Sequence, residues 1–393
     1  MNLPSGYDSQ VLELPQPDAD AIACSTRLVA NIVERIEQRG GVIGFDEYMR
    51  MALYQPGLGY YSGGAIKFGA FGDFVTAPEI SPLFGACLAR QADALIEQGC
   101  SASILEIGAG SGRLCGDILT SLPMLERYLI LDLGAELKQR QQHYLRSQLN
   151  ADQFSKIEWL TGLPEAFDGI VLANELLDAM PVNLLLKQDD WQELGVGYDG
   201  RRFTWQSFAP REQVMAAIRR IEGRLGELPK NYRCELNLNL EPWFATLAQS
   251  CRRSVVIIID YGYEQDEYYH PSRSRGTLDC YYRHRVHSDP LIYPGLQDIT
   301  AFVDFDACAD AAEASGFEII GLVSQHHFLL ANGLLEEAQK RSQGCDVQQQ
   351  LTLSQQVKTL SLPEEMGLQF KVLAMQKNLA LDMPAMQRGP ARG

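Results

Sequence analysis

The feature that most constrains the fold is a series of short, almost wholly apolar stretches separated by helical ones: SILEIG (103–108), YLILDL (128–133), KIEWL (156–160), GIVLANE (169–175) and SVVIIIDYG (254–262). A strand with one wet face alternates apolar and polar residues, and these stretches do not. They suit strands covered by helices on both faces, which implies an α/β doubly wound, mostly parallel sheet. FEIIGLV (317–323) and FKVLAMQ (370–376) read as two more strands, with helices expected over 307–315 and over the intervening CDVQQQLTLSQQVKTL.

The flanking segments have other patterns. Leu28, Ile32 and Ile36, then Phe45, Tyr48 and Met49, lie at helical spacing around Gly40-Gly41, so two helices joined by a turn are expected over 25–53. The stretch 57–79 is rich in Gly and aromatics and suits a shaped loop. Ser81-Pro82 then caps a helix that Gly99 can close. Between 185 and 250, Asp199-Gly200 marks a hairpin and QVMAAIRRIEGRL (213–225) an amphipathic helix. The expected division is an N-terminal helical and loop extension (1–99), the first half of the core (100–184), an inserted hairpin and helix (185–250), the second half of the core with loop 263–298 (251–378), and a flexible tail (379–393). The tail has no pattern from about Met383 onward. No internal repeat is visible.

Composition excludes several function classes. With a net charge of −16, the chain lacks the basic footprint that a nucleic-acid backbone requires; cationic partners are weakly favoured, and an acidic surface that simply aids solubility accounts for the charge at least as well. No apolar run approaches the ~20 residues of a membrane span, so no membrane insertion is expected. The first twenty residues are acidic and contain no Arg or Lys, unlike a signal peptide or presequence, so a cytoplasmic location is expected. Nine cysteines without a C-x-x-C pair read as reduced, buried thiols. His284 and His287 have no further ligands at metal-binding spacing, so no metal is expected.

Three constellations carry chemistry. In Ile104-Leu-Glu-Ile-Gly-Ala-Gly-Ser-Gly-Arg113 a strand runs through Gly108, Gly110 and Gly112 into a helix. Such glycines let backbone N–H groups approach a nucleotide-like ligand. Glu106 leads the turn, and Asp132 ends the next strand, where an acid can accept both ribose hydroxyls. The G-x-G-x-G spacing with a leading acid suits a ligand carrying ammonium and carboxylate instead of pyrophosphate, namely S-adenosylmethionine. The plainer alternative is a tight turn without a ligand. Asn174 and Glu175 end the fourth strand, which should lie beside the first, so both are expected to face the cofactor, with Asp178 and Pro181 at the lip. The plainer alternative is that they cap a following helix (176–180), and both readings can be true. Asp73, Thr76 and Glu79 before a helix, and Asp260-Tyr261-Gly262 after the fifth strand, could reach the same mouth or simply form turns. Loop 263–298, with Arg273, Arg275, Tyr281, Arg283, His284 and Arg285, reads as a solvated basic loop or a lid.

GDFVTAPEISPLFG, ILEIGAGSGRL, ANELLDAMPV, IIDYG, GTLDCYYRHR, PGLQDITAFVDF and LPEEMGLQFKVL together resemble the successive motifs of the MidA-like methyltransferases, in the family's order over residues ~40 to 376. That family includes the mitochondrial protein arginine methyltransferase that serves complex I assembly. The resemblance implies a class I, Rossmann-like fold with a seven-stranded sheet and S-adenosyl-L-methionine as cofactor. It also implies a protein substrate, in known cases an arginine of a respiratory-complex subunit. By position, Glu106, Gly108, Gly110 and Gly112 become the cofactor loop. Asp132 becomes the ribose ligand, where relatives tend to have Glu, and Gly134 stands where they often have Ser. No acid just after the third strand is placed to contact adenine.

Methyl transfer to a guanidinium needs positioning and help in losing a proton, because that group is fully protonated at neutral pH. Glu175 and Asp178, with Asp73 as a third candidate, are therefore expected to clamp a cationic acceptor, and Asn174 is expected on the cofactor side. The alternatives are a nicotinamide-dependent dehydrogenase, disfavoured by the third-glycine spacing, and a non-catalytic assembly factor that retains the pocket. Oligomeric state is not legible in the sequence.

Overall fold

The computed structural model describes residues 14–63 and 76–387. The chain forms two compact units, one of Met1–Phe74, Asp178–Leu240 and Glu264–Phe302, the other of Val75–Leu177, Glu241–Tyr263 and Val303–Gly393.

The second unit is built on a mixed, mostly parallel sheet. Its strands are β1 (Ser103–Ile107), β2 (Arg127–Leu131), β3 (Ile157–Leu160), β4 (Phe167–Asn174), β5 (Cys251–Tyr263), β6 (Glu318–Ser324) and β7 (Phe370–Lys377), in the order β6-β7-β5-β4-β1-β2-β3. The two-residue strand Val303–Asp304 pairs with the end of β5. Strands β1 to β5 run parallel, and β7 runs antiparallel to both β5 and β6. All seven expected apolar runs are therefore strands. The reason is visible in the burial: every residue of β1 is buried, as are Ile170, Leu172, Val255, Ile257, Ile259 and Val372. Each such side chain contributes roughly 1.5–3 kcal/mol when fully withdrawn from water. Helices Pro82–Glu97 and Arg113–Ser121 supply Leu83, Phe84, Leu88, Leu114 and Ile118 to the same core. Because β1 has β2 on one side and β4 on the other, the strand order reverses at β1, and a crevice at the carboxyl ends of β1 and β4 is the place such sheets bind ligands.

The start of the expected loose tail is in fact packed. Met383, Ala385 and Met386 are buried in this core around a short 3-10 turn, Pro384–Met386, because two methionines and an alanine still contribute apolar surface without any periodic pattern.

The first unit is largely antiparallel. Helices Ala19–Gln38 and Phe45–Tyr54 match the two expected from spacing, and Asp18 caps the first by accepting from the Ala21 N–H at 2.9 Å. A five-stranded sheet holds Ile43–Gly44, Trp191–Tyr198, Asn183–Lys187 and Tyr232–Leu236 in that order, with Phe203–Phe208 paired to Trp191–Tyr198. The hairpin forms at Asp199-Gly200, where Asp199 Oδ1 accepts from the Arg201 and Arg202 N–H groups, both at 2.9 Å. Loop 263–298 departs from expectation. It carries most of a three-stranded sheet, Arg285–His287, Asp279–Tyr282 and Asp298–Thr300, whose Cys280 and Ile299 are fully buried in the unit's core. These strands are too short for a periodic signal, and their arginines mask it.

Candidate active site

In the parallel-sheet unit the tips of β1, β2 and β4 gather most of the residues expected from sequence. Gly108, Gly110 and Gly112 have φ of 79°, 55° and 85°, left-handed conformations that favour glycine. A Cβ on Gly108 would lie 3.0 Å from Leu176 Cδ1, so the turn after β1 and the turn after β4 are in contact. Pairing of Ile107 with Ala173 brings the two strand ends level.

Glu106 is buried within β1, and its Oε2 accepts from the Tyr128 hydroxyl at 2.8 Å. Burial pushes its carboxyl up to about 8; the Tyr128 hydrogen bond opposes that shift, and the charge of Asp132 adds to it. Asp132, just past β2, turns onto the glycine loop. Its Oδ2 accepts from the Gly110 N–H at 3.1 Å and from Gln141 Nε2 at 2.9 Å, and its Oδ1 accepts from the Leu133 N–H at 2.7 Å. Burial raises Asp132 to about 6, with the hydrogen bonds from Leu133, Gln141 and Gly110 pulling the other way. Two acids, both held above their ordinary range chiefly by burial, form an environment that a cationic group would relieve.

At the tip of β4, Asn174 Nδ2 donates to Glu175 Oε1 at 3.1 Å, and the same oxygen accepts from the Ala77 N–H at 3.0 Å, at the start of the Ala77–Ile80 turn. Asn174 Oδ1 is buried without a hydrogen-bond partner among the described residues. Glu175 has φ 50°, a left-handed conformation rare outside glycine and costing on the order of 1 kcal/mol. Asp260, at the end of β5, accepts from the Leu176 and Leu177 N–H groups at 3.1 and 2.9 Å, so it serves the turn after β4, as the plainer expectation had it.

Glu79 bonds across to the glycine turn. It accepts from the Ser111 hydroxyl, and its Oε2 lies 2.6 Å from Arg113 Nε. Asp178 belongs to the first unit, where it is buried. Asp73 lies outside the described residues.

Gln141 was not singled out by sequence, yet it ties the site together. Fully buried, it donates to the Gly110 carbonyl at 3.0 Å as well as to Asp132, and accepts from Trp159 Nε1 at 3.0 Å. Its only signal was Leu145 four residues on, whose side chain packs where a Cβ on Gly112 would point.

The residues fit S-adenosylmethionine. The orphaned Asn174 oxygen can accept a hydrogen bond, Asp132 Oδ1 keeps accepting capacity toward a ribose, and the glycine turn lets main chain approach closely. Glycine-rich turn, acid-ended second strand and strand order define the class I methyltransferase fold. A family profile described as S-adenosyl-L-methionine-dependent methyltransferase matches residues 84–323, and the chain belongs to this MidA-like family. A solved structure of a relative from Burkholderia thailandensis, bound to S-adenosyl-homocysteine, is 40% identical with a TM-score of 0.88, covering 96% of this chain and 98% of that one. The mitochondrial protein arginine methyltransferase NDUFAF7 homolog of Drosophila melanogaster is 29% identical over 85% of this chain and 82% of that protein. Its Danio rerio counterpart is 27% identical over 85% and 83%.

Two expectations change accordingly. The nicotinamide alternative falls, since the cofactor is S-adenosylmethionine. The cytoplasmic location is also corrected. The Drosophila, zebrafish and human relatives are named as mitochondrial proteins, and an acidic N-terminus was a poor guide because it reports charge alone. Among the described residues no helix is long and apolar enough to cross a membrane.

Proposed function

We propose that this S-adenosylmethionine-dependent methyltransferase acts on an arginine side chain of a protein, with a respiratory-complex subunit as the acceptor that the family resemblance implies. The observation that carries the reading is the tip of β4, where a strained Glu175 is held by Asn174 and the Ala77 N–H, beside an Asn174 oxygen that has no partner among the described residues. Strain at a strand tip persists only where surrounding structure imposes it, and such residues concentrate at functional sites. The names of the arginine methyltransferase relatives add support.

When bound, S-adenosylmethionine supplies the electrophilic methyl group. The protein's part is positional. Glu106, the glycine turn, Asp132 and Asn174 hold the cofactor. Glu175 faces the acceptor, where a carboxylate can take one edge of the guanidinium fork, localise its charge and ease loss of the proton. Asp178 and Asp73 are further acceptor-side carboxylates on sequence grounds.

The test is labelling with tritiated cofactor in a lysate from cells lacking this protein. Purified enzyme should transfer label to a protein, in acid-stable form and on arginine. Label on another residue or on a small molecule overturns the arginine assignment, and no transfer at all favours a non-catalytic assembly role.

A further inference from the structure

The three-stranded sheet of the first unit has two unlike faces. Strands Asp279–Tyr282 and Asp298–Thr300 are antiparallel, with Asp279 opposite Thr300 and Tyr281 opposite Asp298. Alternation puts Cys280 and Ile299 on one face, fully buried in the apolar core. It puts Asp279, Tyr281, Asp298 and Thr300 on the other. A sheet that already buries one apolar face gains nothing from burying carboxylates and hydroxyls on its second face, unless something is meant to pair with them.

Two observations point to a pairing group for Thr300 and Asp279 outside the described residues. Thr300 is 3% exposed, yet its Oγ1 has no hydrogen-bond partner among the described residues. Directly across from it, burial raises the half-buried Asp279 carboxyl, and among the described residues no neighbouring charge or hydrogen bond offsets the effect. The rest of the face is acidic and aromatic. Tyr61 donates to Asp298 at 2.9 Å and stacks on Tyr54 with ring centroids 5.5 Å apart, and the Ala301 N–H donates to the Asp178 carbonyl at 3.0 Å. After burial itself, the charges of Asp279, Asp178 and Asp298 all raise the Tyr281 phenol, so the three carboxylates bear on one place.

We infer that this polar face binds the guanidinium of an arginine side chain, with Asp279 and Asp298 pairing its charge, Thr300 Oγ1 accepting one N–H, and Tyr281 and Tyr61 offering ring faces. The inference rests on the proposed reading of an arginine-bearing substrate and names residues of the first unit, taken by itself, that would recognise an arginine of it. Among the described residues no three His, Cys, Asp or Glu side chains are gathered closely enough to hold a metal ion. Dispersed carboxylates and tyrosine rings suit a planar, delocalised cation better than a compact one.

The experiment titrates the full chain with a short peptide carrying one arginine among neutral residues, and with the same peptide carrying citrulline, which keeps the shape and loses the charge. The arginine peptide should bind at least ~10-fold more tightly. Asp279→Asn should abolish that preference while leaving S-adenosyl-homocysteine affinity unchanged. Thr300→Val should weaken the arginine peptide several-fold and raise the melting temperature of the peptide-free protein, because it removes a buried hydroxyl that has no partner; a purely structural threonine would lower it. Absence of arginine-peptide binding, equal binding of the two peptides, or an Asp279→Asn variant that binds like the parent overturns the inference. Asp279-dependent binding without methyl transfer upholds this site and refutes only the arginine acceptor.

Discussion

Glu106 and Asp279 are both carboxylates withdrawn from water, one in each unit, and they are satisfied differently. Glu106 is buried inside β1 but receives the Tyr128 hydroxyl, and its backbone is locked between two parallel strands. Asp279 sits half-buried on a three-stranded sheet, opposite a threonine hydroxyl that has no partner among the described residues. The single Tyr128 hydrogen bond does not repay the desolvation of Glu106, and burial acts on Asp279 with no such bond among the described residues, so both acids are held above their ordinary range. The contrast teaches that the parallel-sheet unit pairs its buried acid from its own strands, whereas at Asp279 and Thr300 the first unit supplies no partner among the described residues.

The largest expected effect comes from breaking the pre-built side. Gly108→Val places a branched side chain at φ 79° and against Leu176, and should lower S-adenosyl-homocysteine affinity by about 100-fold or more, read by calorimetry. Unchanged affinity would mean that the turn does not approach the ligand. Next comes Glu175→Gln, which keeps the side-chain shape. Turnover should fall by about 10- to 100-fold with cofactor affinity within about threefold, measured as single-turnover methyl incorporation. Equal turnover would remove Glu175 from the acceptor side.

The third prediction concerns pH. The folded-state carboxyl of Glu106 lies at about 8, above its ordinary 4.5, so its neutral form favours folding. That contribution is complete below about pH 4.5 and is lost as pH rises toward 8. Denaturant titration of the ligand-free protein should therefore show Glu106→Gln more stable than the parent at pH 9, by on the order of a few kcal/mol, and nearly equal to it at pH 4.5. A variant less stable than the parent at pH 9 would mean that the Glu106 carboxylate is better paired than its surroundings indicate. The smallest effect is on the other side of the comparison. Asp279→Asn should stabilise the ligand-free protein at neutral pH by at most about 1 kcal/mol, because solvent screens a half-buried group. A clear loss of stability would show that Asp279 is paired after all.

The parallel-sheet half was legible in the sequence because each signal had a physical period or a fixed position: unbroken apolar runs for doubly covered strands, glycines where φ must be positive, an acid at a strand end. Gln141 was hidden because it is one of four glutamines in the polar helix Ala135–Gln148, and an amide gives no periodic sign of being buried. The acidic face of the first unit was hidden for another reason. Its alternation is real, Asp279-Cys280-Tyr281-Tyr282 and Asp298-Ile299-Thr300, but strands of three or four residues are too short to distinguish from chance, and the arginines of loop 263–298 suggested a solvated segment.

The measurement that bears most directly on the account is calorimetric titration of the full chain and of Gly108→Val with S-adenosyl-homocysteine. The parent should give a single-site isotherm of about one ligand per chain, and the variant should give no measurable heat at the same concentrations. No heat with the parent, or an isotherm that Gly108→Val leaves intact, would contradict the placement of the cofactor at the tips of β1 and β4.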